Sequence, residues 1–255
     1  MKEKERVVFF LRDGLSAAEK ERMAAYGADM SKYLDSGNEA RIKKAYESRD
    51  PRLQMAVITP YAQYNGASSG IAHTYTLRWP YRGSDSAEPF DIRTDTNDKF
   101  YYLWRKFVPE GLEQTERDTY GLDIPLIRYA EVLLLKAEAL NEWGSTHESE
   151  AIRCVNEVRR RAGHVELNNA TYPATKVNGQ SDLRERIRNE YYWEIGGEDS
   201  MYFHELRWGT WKDKKFDNNR NGLMQMWGET TYTWYWLGDQ CWSWPIPVSY
   251  THLRA

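Results

Sequence analysis

The chain has 255 residues, enough to bury a sizeable core and to form one large domain. Its 35 basic and 38 acidic side chains leave a formal net charge of -3, so no polyanion-binding surface is implied and nucleic acid is a poor partner. Eleven tryptophans and eighteen tyrosines, in a chain of mean hydropathy -0.80, set aromatic rings among polar neighbours and put some of them on the surface.

Met1 to Arg6 is charged and is followed by only a short apolar run, Val7 to Leu11, which does not read as a secretory signal and ends at the turn signal Arg12-Asp13-Gly14. No apolar run is long enough to span a bilayer. Ala, Met and Tyr at loose helical spacing predict helices over residues 16–34 and 38–47. Asp50-Pro51 stops the second, because a residue before proline avoids the helical region, and Leu53 to Thr59 reads as extended. From Tyr61 to Phe107 there is no sustained period. Gly, Ser, Asp, Asn and Pro alternate with aromatics, which predicts an irregular excursion of loops and short strands, where binding residues tend to be placed.

Asp123 to Gly163 carries the most regular pattern. Leu126, Tyr129, Ala130, Leu133, Leu134, Ala137 and Leu140 share one helical face, and Gly144 can close that helix. Ser145 with Glu148 has the form of a capping box for a second helix that buries Ala151, Ile152, Val155, Val158, the stem of Arg159 and Ala162, with Gly163 past its end. Two such helices form the unit of a tetratricopeptide-like array, which needs neighbours to bury its face. A third helix is predicted from Leu183 to Ile195, capped by Ser181 or Asp182 and ended by Gly196-Gly197. A further helix follows over residues 199–211, and the aromatic residues 218–247 suggest a small hairpin or loop. The fold class expected is mostly α: a tetratricopeptide-like helical array with an irregular, aromatic-rich excursion.

Three patterns bear on chemistry. Gly66-Ala67-Ser68-Ser69-Gly70 matches a nucleophile elbow in letters, but that elbow needs a helix directly after it, and residues 71–76 look extended. Glu190, Glu194 and Glu198 recur every four residues. A glycosidase needs two carboxylates opposed across a bond, whereas carboxylates stacked on one helix pair with arginines such as Arg184, Arg186 and Arg188. The third pattern is aromatic. A pyranose offers a face of C–H groups to an indole or phenol ring, and its hydroxyls need polar partners. Trp79 and Tyr81, flanked by Arg78, Arg82 and Asp85, supply both. Trp143, Trp193 and Trp208, at helical positions, are assigned to packing, and Cys154 reads as a small buried hydrophobe. Cys154 and Cys241 form no disulfide framework or zinc site, and no cofactor is implied.

Pro125-Leu126-Ile127-Arg128-Tyr129-Ala130-Glu131-Val132, then Ala137 to Glu142, then Asn156 to Gly163 together resemble the signature of the SusD/RagB family of outer-membrane nutrient-binding lipoproteins of the Bacteroidetes. Arg49-Asp50-Pro51-Arg52-Leu53 and Trp244-Pro245-Ile246-Pro247 resemble further segments of that family. Glu190, Glu194, Glu198, Arg207 and Trp208 keep its next motif, while Tyr191, Met201 and His204 stand where Arg, Arg and Asp are usual. The resemblance implies a single SusD-like domain over residues 1–247, as the C-terminal portion of a longer protein, with 248–255 as a non-native tail. It implies a surface protein, lipid-anchored in the outer membrane through an N-terminal anchor absent from this chain. Such a protein would bind an oligosaccharide or polysaccharide and hand it to a SusC-like TonB-dependent transporter without cleaving it. It also places Tyr64 and Trp104, with Trp79 and Tyr81, in the region that holds the family's glycan platform. A peptide ligand, a helical protein-interaction scaffold and a glycoside hydrolase are the other readings.

Overall fold

The computed structural model describes residues 24–27, 38–47, 49–68, 71–77, 91–92, 103–111, 123, 125–198, 200–212 and 239–242. Within them the chain is mostly helical. Helix α1 spans Asn38–Glu47 and α2 spans Pro51–Ala56. Five short strands follow: β1 (Val57–Ile58), β2 (Gln63–Ser68), β3 (Ile71–Leu77), β4 (Asp91–Ile92) and β5 (Leu103–Trp104). Four helices complete the scaffold: α3 (Tyr129–Trp143), α4 (Glu148–Arg161), α5 (Gln180–Ile195) and α6 (Ser200–Arg207).

The helix expected over 38–47 is present, whereas the extended segment expected over 53–59 is a turn of helix and a two-residue strand. Asp50 is the reason. Its side chain accepts the backbone N–H of Arg52, and Pro51 at the first helical position has no N–H to satisfy, so the pair that stops one helix starts the next. Of the helix expected over 16–34 only residues 24–27 are described, ending at Gly27 in the left-handed region (φ +66°).

α3 and α4 pack as a hairpin, α5 lies against both, and α6 and α2 pack on α5. The core they share contains Leu133, Leu134, Ala137, Leu140, Ala151, Val155, Val158, Leu183, Ile187, Tyr191 and Ile195. Small residues at Ala137 and Ala151, both fully buried, let the helices approach closely. Three details differ from expectation. Leu126 and Tyr129 are exposed, because α3 begins only at Tyr129. Arg159 is buried along its whole length, at 2% exposure, because Glu190 and a backbone carbonyl receive its guanidinium. Ser145 forms a short 3-10 turn with His147, and α4 starts with no side-chain cap.

α5 begins at Gln180 behind Gly179, and Asp182 accepts the backbone N–H of Asn178 from its first turn. The expected excursion holds two small sheets: β1 pairs antiparallel with β5, and β2, β3 and β4 form a second sheet in that order, with β2–β3 antiparallel and β3–β4 parallel. The aromatic segment 218–247 lies outside the described residues except for a 3-10 turn at Asp239–Trp242, and residues 248–255 lie outside them altogether.

Candidate functional site

The excursion is mounted on a buried cluster of charge. Glu190 and Glu194 are buried and Glu198 partly so, along one face of α5 and just past its end, and they meet cations from four other stretches. Arg52 donates to Glu190 (2.7 Å), to Glu194 (3.2 Å) and to both oxygens of Asp50. Arg159 reaches Glu190 at 3.2 Å, and Arg128 reaches Glu194 at 2.9 Å and Glu198 at 2.6 Å. Arg161 pairs with Glu194, and Lys106 pairs with Glu198 while donating to the carbonyls of Glu194 (2.9 Å) and Gly196 (3.2 Å).

The three glutamates thus serve structure, as expected, but not with the arginines expected. Arg184, Arg186 and Arg188 point elsewhere and pair with Glu142, Asp182 and Glu185. At about 100° per residue Arg184 and Arg188 lie far round the helix from Glu190, and Arg186, one turn before it, is taken by Asp182 and the carbonyls of Ala174 and Lys176.

The electrostatics follow from this crowding. Burial raises the Glu194 carboxyl, but Arg128, Arg161 and Arg52 outweigh it and hold it below the ordinary range. Asp50 is treated alike: burial opposes ionisation and Arg52 overrides it. Burial lowers the Lys106 ammonium, against the pull of Glu198. His164, stacked on Trp193 at 5.8 Å, is pushed down by burial and by Arg159. A carboxylate held ionised by three guanidinia is a poor general acid, so Glu194 fits an anchor better than a glycosidase proton donor. Among the described residues no three His, Cys, Asp or Glu converge to hold a metal ion.

Residues 103–111 form a strap from this cluster to the hairpin. Arg105 and Lys106 donate their backbone N–H to Ala56, at the end of α2, and β5 pairs with β1 beside them. Trp104, 45% exposed, sets its ring over Gly197, where a Cβ would stand 2.7 Å from it. Further along, the Tyr64 hydroxyl donates to the carbonyl of Pro109 (2.8 Å), Gly111 donates to that of Asn65, and Glu110 accepts from the Asn65 amide and pairs with Arg105. Tyr61 and Phe107 sit at φ +59° and +62°, a strained setting for bulky residues that costs about 1–2 kcal/mol each. Both stand at the base of the excursion, where β1–β5 pairing and the bond from Tyr61 N to Leu77 O hold the backbone.

Along β2–β3, Tyr64 faces Tyr75 and Gly66 faces His73. The Tyr75 ring occupies the space that a side chain at Gly66 would need. Asn65 and Thr74 alternate to the opposite face and are exposed, with the Thr74 hydroxyl donating to the Asn65 amide oxygen. Gly66 to Ser68 lies in a strand that leads into another strand, so the strand-to-helix context of a nucleophile elbow is absent there.

Of the candidate ligand-binding residues, Tyr64 stands half-buried on the hairpin and Trp104 on the strap, joined through the Tyr64–Pro109 bond. Trp79, Tyr81, Arg78, Arg82 and Asp85 lie outside the described residues. Trp193 packs as expected, with the guanidinium carbons of Arg52 and Arg159 each 5.9 Å from its ring centroid. Trp208 also packs, donating to Glu138 at 2.9 Å. Trp143 does not: it is 75% exposed and carries only the His147 ring on one side, at 4.3 Å. The unusual positions Tyr191, Met201 and His204 are all buried, the first two in the shared core. The His204 ring lies tilted against Tyr191, centroids 4.4 Å apart, and meets Glu131 through Nε2 at 2.8 Å. Arg207 can only donate, so its 3.1 Å contact to His204 Nδ1 places the ring proton on Nε2.

A tetratricopeptide-like array whose α5 end anchors an irregular strand-and-loop excursion through buried ion pairs is the class of protein described so far. The sequence profile of the SusD family matches residues 12–253, and the chain belongs to that family. It is 36% identical over 104 residues to SusD-like protein P38 of Formosa agariphila, a stretch covering 40% of this chain and 20% of that protein. Its fold is similar to the crystal structure of a SusD-like protein from Bacteroides fragilis (TM-score 0.56, 20% identity, covering 89% of this chain and 41% of the other). It is also similar to that of BT4246 (TM-score 0.59, 21% identity, 88% and 39%). The chain therefore spans about two fifths of the solved relatives and a fifth of the curated one.

Proposed function

We propose that this chain is part of a surface binding protein that captures an oligosaccharide or polysaccharide and delivers it, uncleaved, to a SusC-like TonB-dependent transporter at the outer membrane. The observation that carries this reading is the family match across residues 12–253. Two further features support it. The described part of the excursion is tied to the helices by Lys106 and the ion pairs around it, an arrangement that would preorganise a binding surface. The helix-borne carboxylates, which a hydrolase would need free, are engaged by arginines. No helix among the described residues is long and apolar enough to cross a membrane, and attachment is assigned to a lipid anchor on the longer protein.

In this reading Trp79 and Tyr81 form the stacking platform, Arg78, Arg82 and Asp85 take the sugar hydroxyls, and Tyr64 and Trp104 border the platform. Affinity electrophoresis against a panel of soluble polysaccharides tests it, with Trp79→Ala alongside. Retardation by one polysaccharide that weakens in the variant, without release of reducing ends, is the expected result. A folded protein that no polysaccharide retards would move the reading to a peptide ligand.

A further inference from the structure

Asn178-Gly179 stands at the head of α5 and has no part in the binding surface. Asparagine followed by glycine is chemically vulnerable, because the glycine nitrogen can reach the asparagine side-chain carbonyl carbon and no Cβ stands in its way. The fold decides whether it does. Two such steps lie among the described residues, and they are held differently.

Asn65-Gly66 is locked. The Asn65 N–H donates to Glu110 (3.2 Å) and its carbonyl accepts from Gly111 (2.7 Å), so both of its main-chain groups point to the strap. Main-chain groups alternate sides along a strand, which turns those of Gly66 toward His73 on β3. Gly66 is buried, and the Tyr75 and Tyr64 rings fill the space beside it. The Asn65 amide oxygen accepts from the Thr74 hydroxyl (3.1 Å). A nitrogen committed to the ladder and walled by rings is kept from the side chain before it.

Asn178-Gly179 is open. Both residues are exposed, and apart from the chain neighbours no heavy atom lies within 4 Å of where a Cβ on Gly179 would stand. Gly179, at φ +84°, precedes the first helical residue, and its N–H makes no hydrogen bond among the described residues. The Asn178 side-chain amide donates to the Lys176 carbonyl at a long 3.3 Å. The main chain around the step is nonetheless fixed: the Asn178 N–H donates to Asp182 (2.9 Å), and the Gly179 carbonyl accepts from Leu183 (3.0 Å).

We propose that Asn178-Gly179 is a self-modification site, at which the chain converts Asn178 to aspartate and isoaspartate with water as the only reagent. The Gly179 nitrogen bonds to Cγ of Asn178, the Cγ–Nδ2 bond breaks, and Nδ2 leaves as ammonia with the Gly179 hydrogen. The succinimide that results opens to water. Attack at Cγ frees the Gly179 nitrogen from it and gives aspartate. Attack at the backbone carbonyl breaks the original peptide bond and leaves the chain running through Cβ and Cγ, which is isoaspartate. Nothing is oxidised or reduced. Either product sets a new negative charge close to Asp182, and isoaspartate also adds a carbon to the main chain just ahead of the carbonyl that opens α5. The reaction needs no ligand, so it is independent of the surface assigned to glycan.

The test incubates the whole chain in neutral buffer, folded and in urea, and reads its tryptic peptides by mass spectrometry, with enzymatic methylation to count isoaspartate. In the folded chain Asn178 is expected to convert at least about fivefold faster than Asn65, the factor that one net backbone hydrogen bond is worth. In urea the two rates should converge. Asn178→Gln lengthens the ring that must close, so it is expected to lose the product at 178 while circular dichroism stays unchanged. Amide exchange at Leu183 should quicken as the product accumulates in the unsubstituted chain. Asn65 converting as fast as Asn178 in the folded chain would overturn the proposal, as would an Asn178 that converts in urea and not in the folded protein. Asn221-Gly222 lies outside the described residues and is read on a separate peptide.

Discussion

Trp104 and Gly197 occupy one another's space: the indole ring lies where the Cβ of any other residue at 197 would be, 2.7 Å away. Gly197 also sits at φ +83°, in the left-handed region. The strap and the end of α5 can meet only because this residue has no side chain. Gly197→Ala is expected to cost about 2–4 kcal/mol, summing the backbone term and the overpacking. In a Trp104→Ala background the same change is expected to cost only the backbone part, about 1–2 kcal/mol. Urea denaturation of the four proteins of this cycle reads the difference, and additive effects would show that the ring and the glycine are not in contact.

Removing one partner from the buried cluster should be severe. Arg52→Met leaves Glu190 short of its 2.7 Å partner and frees the Asp50 carboxylate, and it is expected to destabilise by about 3–5 kcal/mol. Glu190→Gln is expected to behave similarly, because Arg52 and Arg159 both stay cationic and lose the carboxylate they share. If Glu190 were instead a glycosidase carboxylate, the glutamine variant would keep its stability and lose turnover. Thermal melting together with a reducing-sugar assay separates the two outcomes.

Acid should unfold the protein in two stages. His164 is held below its ordinary value of 6.5, so the native state keeps it neutral while the unfolded chain takes up its proton. Its contribution is whole above pH 6.5 and is lost as pH falls from there through the lower native-state value. Asp50 and Glu194 are held below 3.8 and 4.5, so their contribution is whole above those values and is lost as pH falls further. The melting temperature is expected to fall in two steps on acidification. His164→Asn should remove the first and keep the second, and a single step in the wild-type chain would contradict the assignment.

The hairpin is joined to the strap by Tyr64, whose hydroxyl reaches Pro109. Tyr64→Phe is expected to cost about 1 kcal/mol, the usual net worth of such a bond. Gly66→Ala should cost more, because its Cβ would meet the Tyr75 ring at 2.7 Å and the Tyr64 ring at 3.1 Å. Amide exchange along residues 63–77 should quicken in both variants, more in the second. Equal rates would show that the rings yield freely.

The helical scaffold was legible because periodicity reports burial: Leu133, Leu134, Ala137 and Leu140 recur as a core face requires, and all are buried. The same logic misread Leu126 and Tyr129, since spacing cannot say where a helix begins. Proline after Asp50 signals a stop, but an N-capping side chain followed by proline is also a start. The partners of Glu190 and Glu194 were out of reach of local rules. Arg52 is 138 residues away from Glu190, and helix neighbours such as Arg188 were the only partners that spacing could offer. The left-handed settings of Tyr61 and Phe107 leave no signal either, because nothing in a bulky side chain announces a strained backbone that distant contacts impose.

The buried cluster draws on residues 50–52, 106, 128, 159–161 and 190–198, stretches separated by long runs of chain. The α3–α4 hairpin closes a short loop, whereas the cluster needs the closure of several long ones, which are entropically later events. Loop-closure entropy alone favours the helical hairpin before the ion pairs. Until the last guanidinium arrives, each carboxylate already in place stays hydrated, and the excursion has no fixed base to stand on. An excursion tied down by charges drawn from so many stretches is held only when all of them have come together, so a fault in any one stretch is felt at its base.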